Sequence, residues 1–371
     1  MKNNFKSVVK VVGSPKIFVY TVIWLMFLVV IGTLAQREQG LYLAQQKYFS
    51  SWFTWLSFIP IPSGRLIMSI MVINLSCYFF RPNIFKKNKI GITIVHSGVI
   101  MLLVGGGLTA IFSSEGNMVI EEGKTSDFIE DYYLKEFVIV NTSSTDFDEF
   151  IVFEEPLLKP GRVLKDESIS FEIEILDYYT NCEPLPRLYK GDKTLKGMAK
   201  NFYLEEKTDE KEYEKNISGI VYRIYDSNSD EDGIYIGYLG QPVTQSIKED
   251  YLIILRRLRT YVPFKIQLID FKKVLHPGTN IAKSYSSDIN LIQNNISRKV
   301  LIQMNEPLRH RGYTFYQASF FEDGSKQTTI LAAVKNYGRL FPYIATTIMC
   351  IGLLFHMLIK IPNRLSNVSE K

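Results

Sequence analysis

The chain has 371 residues, 46% of them hydrophobic and 22% charged, with a formal net charge of +5. That charge is unevenly placed: residues 113–338 carry 36 acidic against 28 basic side chains, and the remainder 2 against 15. The basic excess therefore belongs to the segments around the apolar runs and argues against a nucleic-acid partner. The three cysteines form no C-x-x-C, which excludes a dithiol redox site and a thiolate zinc site.

Apolar runs over 17–35, 65–80, 90–112 and 340–359 predict four transmembrane helices, because a hydrocarbon core of roughly 30 Å takes about 20 residues. The second run is short, and Arg65 at its start has to snorkel to the interface. Lys2, Lys6, Lys10 and Lys16 precede the first run, Arg81, Lys86, Lys87 and Lys89 separate the second from the third, and Lys360 and Arg364 follow the fourth. With four spans all three clusters share one side, which the positive-inside rule makes cytoplasmic. The reading is thus a multi-pass protein of the cytoplasmic (inner) membrane with both termini cytoplasmic. Residues 1–112 form a membrane region, 113–338 a large exterior domain between the third and fourth helices, and 339–371 the last helix and a tail. The lysines before the first run and "GTLA" after it also fit a signal peptide, but the run is longer than an h-region and further spans follow.

Between the first two runs, residues 41–56 place Leu41, Tyr42, Tyr48, Phe49, Trp52, Phe53, Trp55 and Leu56 on a roughly helical face. This predicts an amphipathic helix on the outer surface, in contact with lipid; an aromatic platform for a flat ligand is the alternative. The exterior domain reads as β-rich. "EFVIVN", "SISFEIEILDYY", "SGIVYRIYD", "FKIQLIDF" and "KVLIQM" are short and partly alternating, with turns such as "KPGR" and "HPGTN" between them. One or two antiparallel sandwich- or barrel-like units are expected. The charge run "EEKTDEKEYEK" over 205–215 reads as a solvated loop. No phosphate-binding loop, dinucleotide fingerprint or catalytic triad is recognisable, and no catalytic residue is predicted.

There are four histidines. His276 and His310 fall in the exterior domain, where surface or structural roles are the default. His96 lies six residues into the third run, roughly 9 Å from its cytoplasmic end, and His356 lies roughly 6 Å from the same side in the fourth. An imidazole inside a bundle ligates haem iron, relays protons or hydrogen-bonds a neighbouring helix. The following "VGGGL" allows close helix approach or leaves room beside the helix for a flat ligand.

The stretch "NEPLRHRGYTFYQASFFEDG" (305–324) closely resembles the signature of the ResB (CcsB) family of System II cytochrome c biogenesis proteins, and "VPFKIQLIDFKKVLHPGTNIAKSYSSDINL" resembles the part just upstream of it. "SPKIFVYTVIWLMFLVVIGTLAQ", "AQQKYFSSW" and "GITIVHSGVIMLLVGGGLTAIFSSEGNMVIEEGKT" are similar to the family's first span, following loop and third span. The resemblance implies four membrane helices and a large domain outside the cytoplasmic membrane. It also implies a place in a haem-export and holocytochrome c synthetase complex. There the chain would act with a CcsA-type haem-handling membrane protein, with apocytochrome c and with a thiol-reducing protein of the outer compartment. By the matching motif, His96 is expected to be an axial ligand of a transient b-type haem. No matching position exists for His356, which remains a weaker candidate for the same cofactor. The partner's tryptophan-rich segment is absent, since Trp24, Trp52 and Trp55 are the only tryptophans; any haem-lyase activity would belong to the complex rather than to this chain alone. Two other readings stay open: a b-type electron-transfer protein whose haem is held by both His96 and His356, and a non-catalytic membrane scaffold.

Overall fold

In the computed structural model the described residues are 2–369, except 82–83, 145–146, 189–190, 228–229, 242–244, 248–249 and 324–325. Gly324, the last residue of the signature stretch, lies outside the described residues. The chain divides into two units: Met1–Ser114 with Arg311–Tyr313 and Val334–Lys371, and Glu115–His310 with Thr314–Ala333.

The first unit is helical. A short helix α1 (Lys2–Val12) precedes α2 (Pro15–Gln45), with Pro15 in the first helical turn, where its missing N–H is no loss. The later helices are α3 (Gly64–Ser76), α4 (Ile90–Phe112) and α5 (Phe341–Ser369). Among the described residues, three segments are long and apolar enough to cross a membrane: Pro15–Ser50, Lys87–Phe112 and Phe341–Ile361. The second expected span is the shorter apolar helix Gly64–Phe80, which ends in a 3-10 turn, Cys77–Phe80.

The segment expected as a helix over 41–56 is helical only as far as Ser50. Gly40 breaks α2 with φ 79° and ψ 170°, and the chain turns back through a π-helical segment, Gln46–Ser50. Ala44 and Tyr48 are buried on this returning stretch, and a Cβ on Gly32 would lie 2.7 Å from the ring of Phe49. The helix then gives way to a β-hairpin of β1 (Phe53–Leu56) and β2 (Ile59–Pro62), turning at Ser57 with φ 57°. The aromatic spacing suits either form, but Pro60 and Pro62 cannot sit in a helix interior, and they decide it.

Small residues seven apart lock α4 against α5. A Cβ on Gly91 would lie 2.6 Å from the backbone nitrogen of His356, and one on Gly98 would lie 2.6 Å from Met349 Cγ. Gly105 packs on Phe341 in the same way. From the other side, Gly352 fits against Val95 and the Gly91 carbonyl, Ala345 is fully buried, and Gly338 meets Thr109 and the Gly105 carbonyl. Close backbone approach of this kind gives membrane helices van der Waals contact where lipid offers no hydrophobic drive. Of the two uses suggested for "VGGGL", Gly105 serves close packing, whereas a Cβ on Gly106 or Gly107 would meet nothing within 4 Å. At the end of the pair, Thr109 Oγ1 donates to Asn336 Oδ1 (2.9 Å), which also accepts the N–H of Gly338 (2.8 Å).

The second unit is built of antiparallel sheet. In chain order its strands are β3 (Ser114–Glu121), β4 (Thr125–Asn141), β5 (Glu149–Glu154), β6 (Val163–Leu164), β7 (Glu172–Tyr179), β8 (Cys182–Pro186), β9 (Phe202–Glu206), β10 (Gly219–Tyr225) and β11 (Gly233–Tyr238). They continue as β12 (Gln245–Ile247), β13 (Tyr251–Leu275), β14 (Ala282–Gln293), β15 (Ile296–Gln303), β16 (Leu308–His310), β17 (Tyr313–Asp323) and β18 (Lys326–Lys335). The large sheet runs β15-β14-β13-β4-β3-β18-β17-β16, with β5 on β4 and β12 on β13; the second runs β11-β10-β7-β6, and β8 pairs with β9.

Alternation drives the packing. Ile173 and Ile175 of β7 and Ile220, Tyr222 and Ile224 of β10 are buried together with Phe137 and Ile139 of β4 and Ile253 and Leu255 of β13. The small sheet thus forms a sandwich with one part of the large one. Two strands are far longer than their sequence runs suggested, 17 residues for β4 and 25 for β13. Their pairing slips between Arg257 and Arg259 and between Tyr261 and Ile266, around Pro263. Such irregularities let one strand bend and continue. The charge run is solvent-exposed but only partly loop: Glu205 and Glu206 end β9, Tyr213–Lys215 form a 3-10 turn, and half-buried Tyr213 has its ring centroid 4.7 Å from the buried amine of Lys135.

Candidate functional site

His96 lines a groove of about 330 Å³ in the helical unit, whose other walls come from α2, α3 and the Gly13 elbow between α1 and α2. The elbow is tight because a Cβ on Gly13 would lie 2.8 Å from Cys77 Cβ. Two side chains from the α3 end hold it. Asn74, buried in an otherwise apolar helix, donates its amide to the carbonyls of Val12 (2.5 Å) and Ser14 (3.0 Å). Arg81 donates to the Gly13 carbonyl. A polar side chain in an apolar helix is stable only with such partners.

The imidazole is oriented from two directions. Its Nδ1 lies 2.9 Å from the carbonyl oxygen of Ile92, one turn back along α4. A carbonyl can only accept, so Nδ1 is the donor, and in the neutral ring this leaves the Nε2 lone pair for a ligand, the arrangement of a metal-ligating histidine. Tyr78 stacks on the ring, with centroids 4.2 Å apart and planes 18° from parallel. The Nε2 lone pair lies in the ring plane, so stacking fixes the ring without covering it. Tyr78 is itself held. Its hydroxyl lies 3.3 Å from Thr93 Oγ1, whose proton goes to the Ile84 carbonyl (2.7 Å), so the tyrosine donates. The Arg81 guanidinium sits 5.9 Å from the Tyr78 ring centroid.

Phe18, Val19, Leu75, Val95 and Val99 make the remaining walls mostly apolar, with Arg81 the one cation among the lining residues. Such a groove suits a flat apolar molecule that presents a metal to one imidazole and an anionic edge to a guanidinium. Tyr78 and Asn74 were not singled out in the sequence, and Arg81 only as a topological charge. The available signal was an asparagine and a tyrosine inside the short second run.

His356 is placed elsewhere. It stands on α5 with its backbone against Gly91, about 140° around α4 from His96 at 3.6 residues per turn. It is not among the residues that line the groove. In the second unit His310 Nε2 lies 2.8 Å from Gln293 Oε1 and its ring meets the face of Phe264 edge-on, while the His276 backbone closes the Pro-Gly turn. Among the described residues no cluster of three or more His, Cys, Asp or Glu could hold a metal ion. The signature stretch is architectural here. Arg311 and Gly312, with φ of 48° and 82°, form the turn between β16 and β17. Gln317 joins Ser287 (2.6 Å) and Thr329 (2.9 Å) in a fully buried hydrogen-bonded knot.

Residues 243–340 match the ResB-like family. The chain is also 24% identical over 301 residues to Protein NrfI of Wolinella succinogenes, covering 79% of this chain and 30% of that protein. The chain thus spans less than a third of the curated relative it matches. The family match takes in the turn, the buried knot and His276, and it ends before α5; the His96 groove lies outside it.

Proposed function

This chain carries a ResB-like family segment, and from that premise we propose that it serves cytochrome c biogenesis as the haem-delivering subunit of a membrane haem-export and holocytochrome c synthetase complex. The observation that carries the haem reading is the His96 imidazole, held through Nδ1 by the Ile92 carbonyl and stacked on the Tyr78 ring, in an apolar groove with one guanidinium. These residues fit haem as cargo. His96 would hold the iron, the walls would take the porphyrin faces, and Arg81 would meet a propionate. Haem supplies the ligand-accepting iron and the vinyl groups to which apocytochrome thiols add. The protein's own part is to bind, orient and exclude water.

The proposal includes the finer points of topology and assembly. All four apolar helices cross the inner membrane, Gly64–Phe80 included, with both termini cytoplasmic and the β-rich unit outside. A CcsA-type membrane protein would complete the haem site alongside His96. Apocytochrome c docks outside, kept reduced by a separate thiol-reducing protein, since the one cysteine of the β unit, Cys182, is buried.

Chemical rescue tests the central assignment. His96→Gly in the assembled complex should lose haem and cytochrome c maturation, and free imidazole should restore both by re-ligating iron. Full haem occupancy without imidazole would sink the assignment; loss that imidazole leaves unrepaired would reduce His96 to a packing residue.

A further inference from the structure

The hairpin formed by β1 and β2 presents an apolar surface that the described residues of its unit leave exposed. Trp52, Phe53, Trp55, Leu56, Phe58 and Ile59 are all exposed, Phe58 to 91%. No charged residue occurs from position 52 to 64. A contiguous patch of this kind is costly in water and marks an interaction surface.

Three contacts fix how high the hairpin stands along α2. The indole Nε1 of Trp24 donates to the Pro62 carbonyl at 2.9 Å. Ile61 belongs to one buried cluster with Leu28, Ile67 and Met71. At the other end of α3, Asn74 reaches the Val12 and Ser14 carbonyls. Trp24 is ten residues above Ser14, about 15 Å at 1.5 Å per residue, or half of a hydrocarbon core of roughly 30 Å. The base of the hairpin therefore lies within the apolar run 17–35, between the level of Trp24 and that of Gly32, since Phe49 abuts both Gly32 and Gly64. This is also why α3 is short: it starts where the hairpin ends.

The hairpin backbone suits that depth. In the register Phe53↔Pro62, Thr54↔Ile61, Trp55↔Pro60, Leu56↔Ile59, a proline cannot share in a mutual hydrogen-bonded pair. The bonded pairs are thus Thr54↔Ile61 and Leu56↔Ile59, and the outward residues of β2 are Pro60 and Pro62, which have no N–H to leave unsatisfied. The Pro62 carbonyl is taken by Trp24. On the β1 side the outward N–H groups are those of Phe53 and Trp55. Arg65, exposed at the start of α3, lies 5.9 Å from the Trp52 ring, and from this level its guanidinium reaches the headgroups by snorkelling outward along its aliphatic stem.

We propose that residues 53–62 are a lipid-embedded wedge whose exposed side chains occupy the acyl region of the outer leaflet, beneath the headgroups, rather than the aqueous exterior. The occupant of this surface is phospholipid, because the patch is uncharged, stands beside the apolar length of α2 and continues that helix's exposed face of Ile23, Phe27 and Val30. The inference rests on α2 crossing the bilayer.

Tryptophan fluorescence tests it in the full chain reconstituted into phosphatidylcholine vesicles. In a variant with Trp24→Phe and Trp52→Phe, Trp55 should lose about half its emission to lipid brominated near the ester end, and aqueous iodide should quench it several-fold less than free tryptophan. Because Trp24 anchors Pro62, a second variant retains all three tryptophans and adds Phe58→Trp, whose emission is read by difference with the same expectation. Iodide quenching without bromolipid quenching would overturn the proposal. So would quenching by neither, which would mean protein covers the patch. An Ile23→Trp variant reports the premise separately: if it escapes bromolipid quenching, α2 does not cross the bilayer; if it alone is quenched, only the wedge fails.

Discussion

Gly91 of α4 lies directly against the backbone of His356 on α5, so close that a Cβ would stand 2.6 Å from the histidine nitrogen. The same closeness recurs at Gly98 and Gly105, which makes the contact a seam rather than a point. Replacing Gly98 by Leu should force the helices apart and cost about 1–3 kcal/mol, visible as a lower unfolding temperature of the detergent-solubilised protein. Gly106→Ala, on the open side of the same helix, should leave that temperature unchanged. Equal effects would show that the seam is not what holds the pair.

Tyr78 offers a test of how His96 is held. Tyr78→Phe keeps the stacking and loses only the bond to Thr93; Tyr78→Ala loses both. On the haem reading, the alanine variant should weaken haem retention by about 10–100-fold, the range for residues that orient a metal ligand, and the phenylalanine variant much less. Pyridine haemochrome spectra of the purified complex measure both. Identical occupancy in all three proteins would remove Tyr78 from the site.

Lys135 is buried with its amine 3.7 Å from Glu155 Oε1 and no hydrogen-bond partner. Burial, opposed by the Glu155 charge, holds its pKa below the usual lysine value of 10.5. The unfolded chain therefore binds the proton more tightly, and stability should rise with pH between the lowered folded value and 10.5. Lys135→Met should abolish that rise without lowering stability near neutrality. Glu155 stays satisfied by the Tyr178 hydroxyl and the residue 135 N–H. Denaturant titrations across alkaline pH would measure it, and a destabilised methionine variant would contradict the account.

Burial pushes the Cys182 thiol up to about 11. At neutral pH its reaction with a maleimide should be roughly 100-fold slower than that of an unburied cysteine, becoming ordinary once the protein unfolds. A variant with all three cysteines replaced by serine should still support maturation. Rapid labelling of the folded protein would show that the β8 region opens.

The topology predicts that a cysteine introduced at Asp209, in the exposed loop, reacts with an impermeant label from outside intact cells, whereas one at Lys87 is protected. The reverse pattern would invert the membrane orientation.

Hydropathy made the three long helices legible, because the lipid-facing requirement acts on each helix by itself. His96 was legible for the same reason, as one costly side chain in an apolar run. What holds it was not. Asn74 and Arg81 act on the Gly13 elbow some sixty residues away in the chain, and nothing local distinguishes such residues from packing or topological ones. The hairpin was misread because Phe53 and Trp55 suit a helical face as well as a strand, while the weight of Pro60 and Pro62 falls just beyond the window. The β pattern gave the strands but not the length of β13, since the irregularities around Pro263 look like strand ends until the pairing is known.

Asn336, accepting from both Thr109 and Gly338, marks where the polypeptide leaves the α4–α5 pair and where it returns. In chain terms everything between those points is the loop of a helical hairpin. Closing a flexible loop costs an entropy that grows only with the logarithm of its length, and a loop that folds on its own with its ends together adds little more. The helix pair can thus carry an insert of very different size or sequence without changing its register. Lineages would be free to remodel or exchange the β-rich insert while the glycine seam stays as it is.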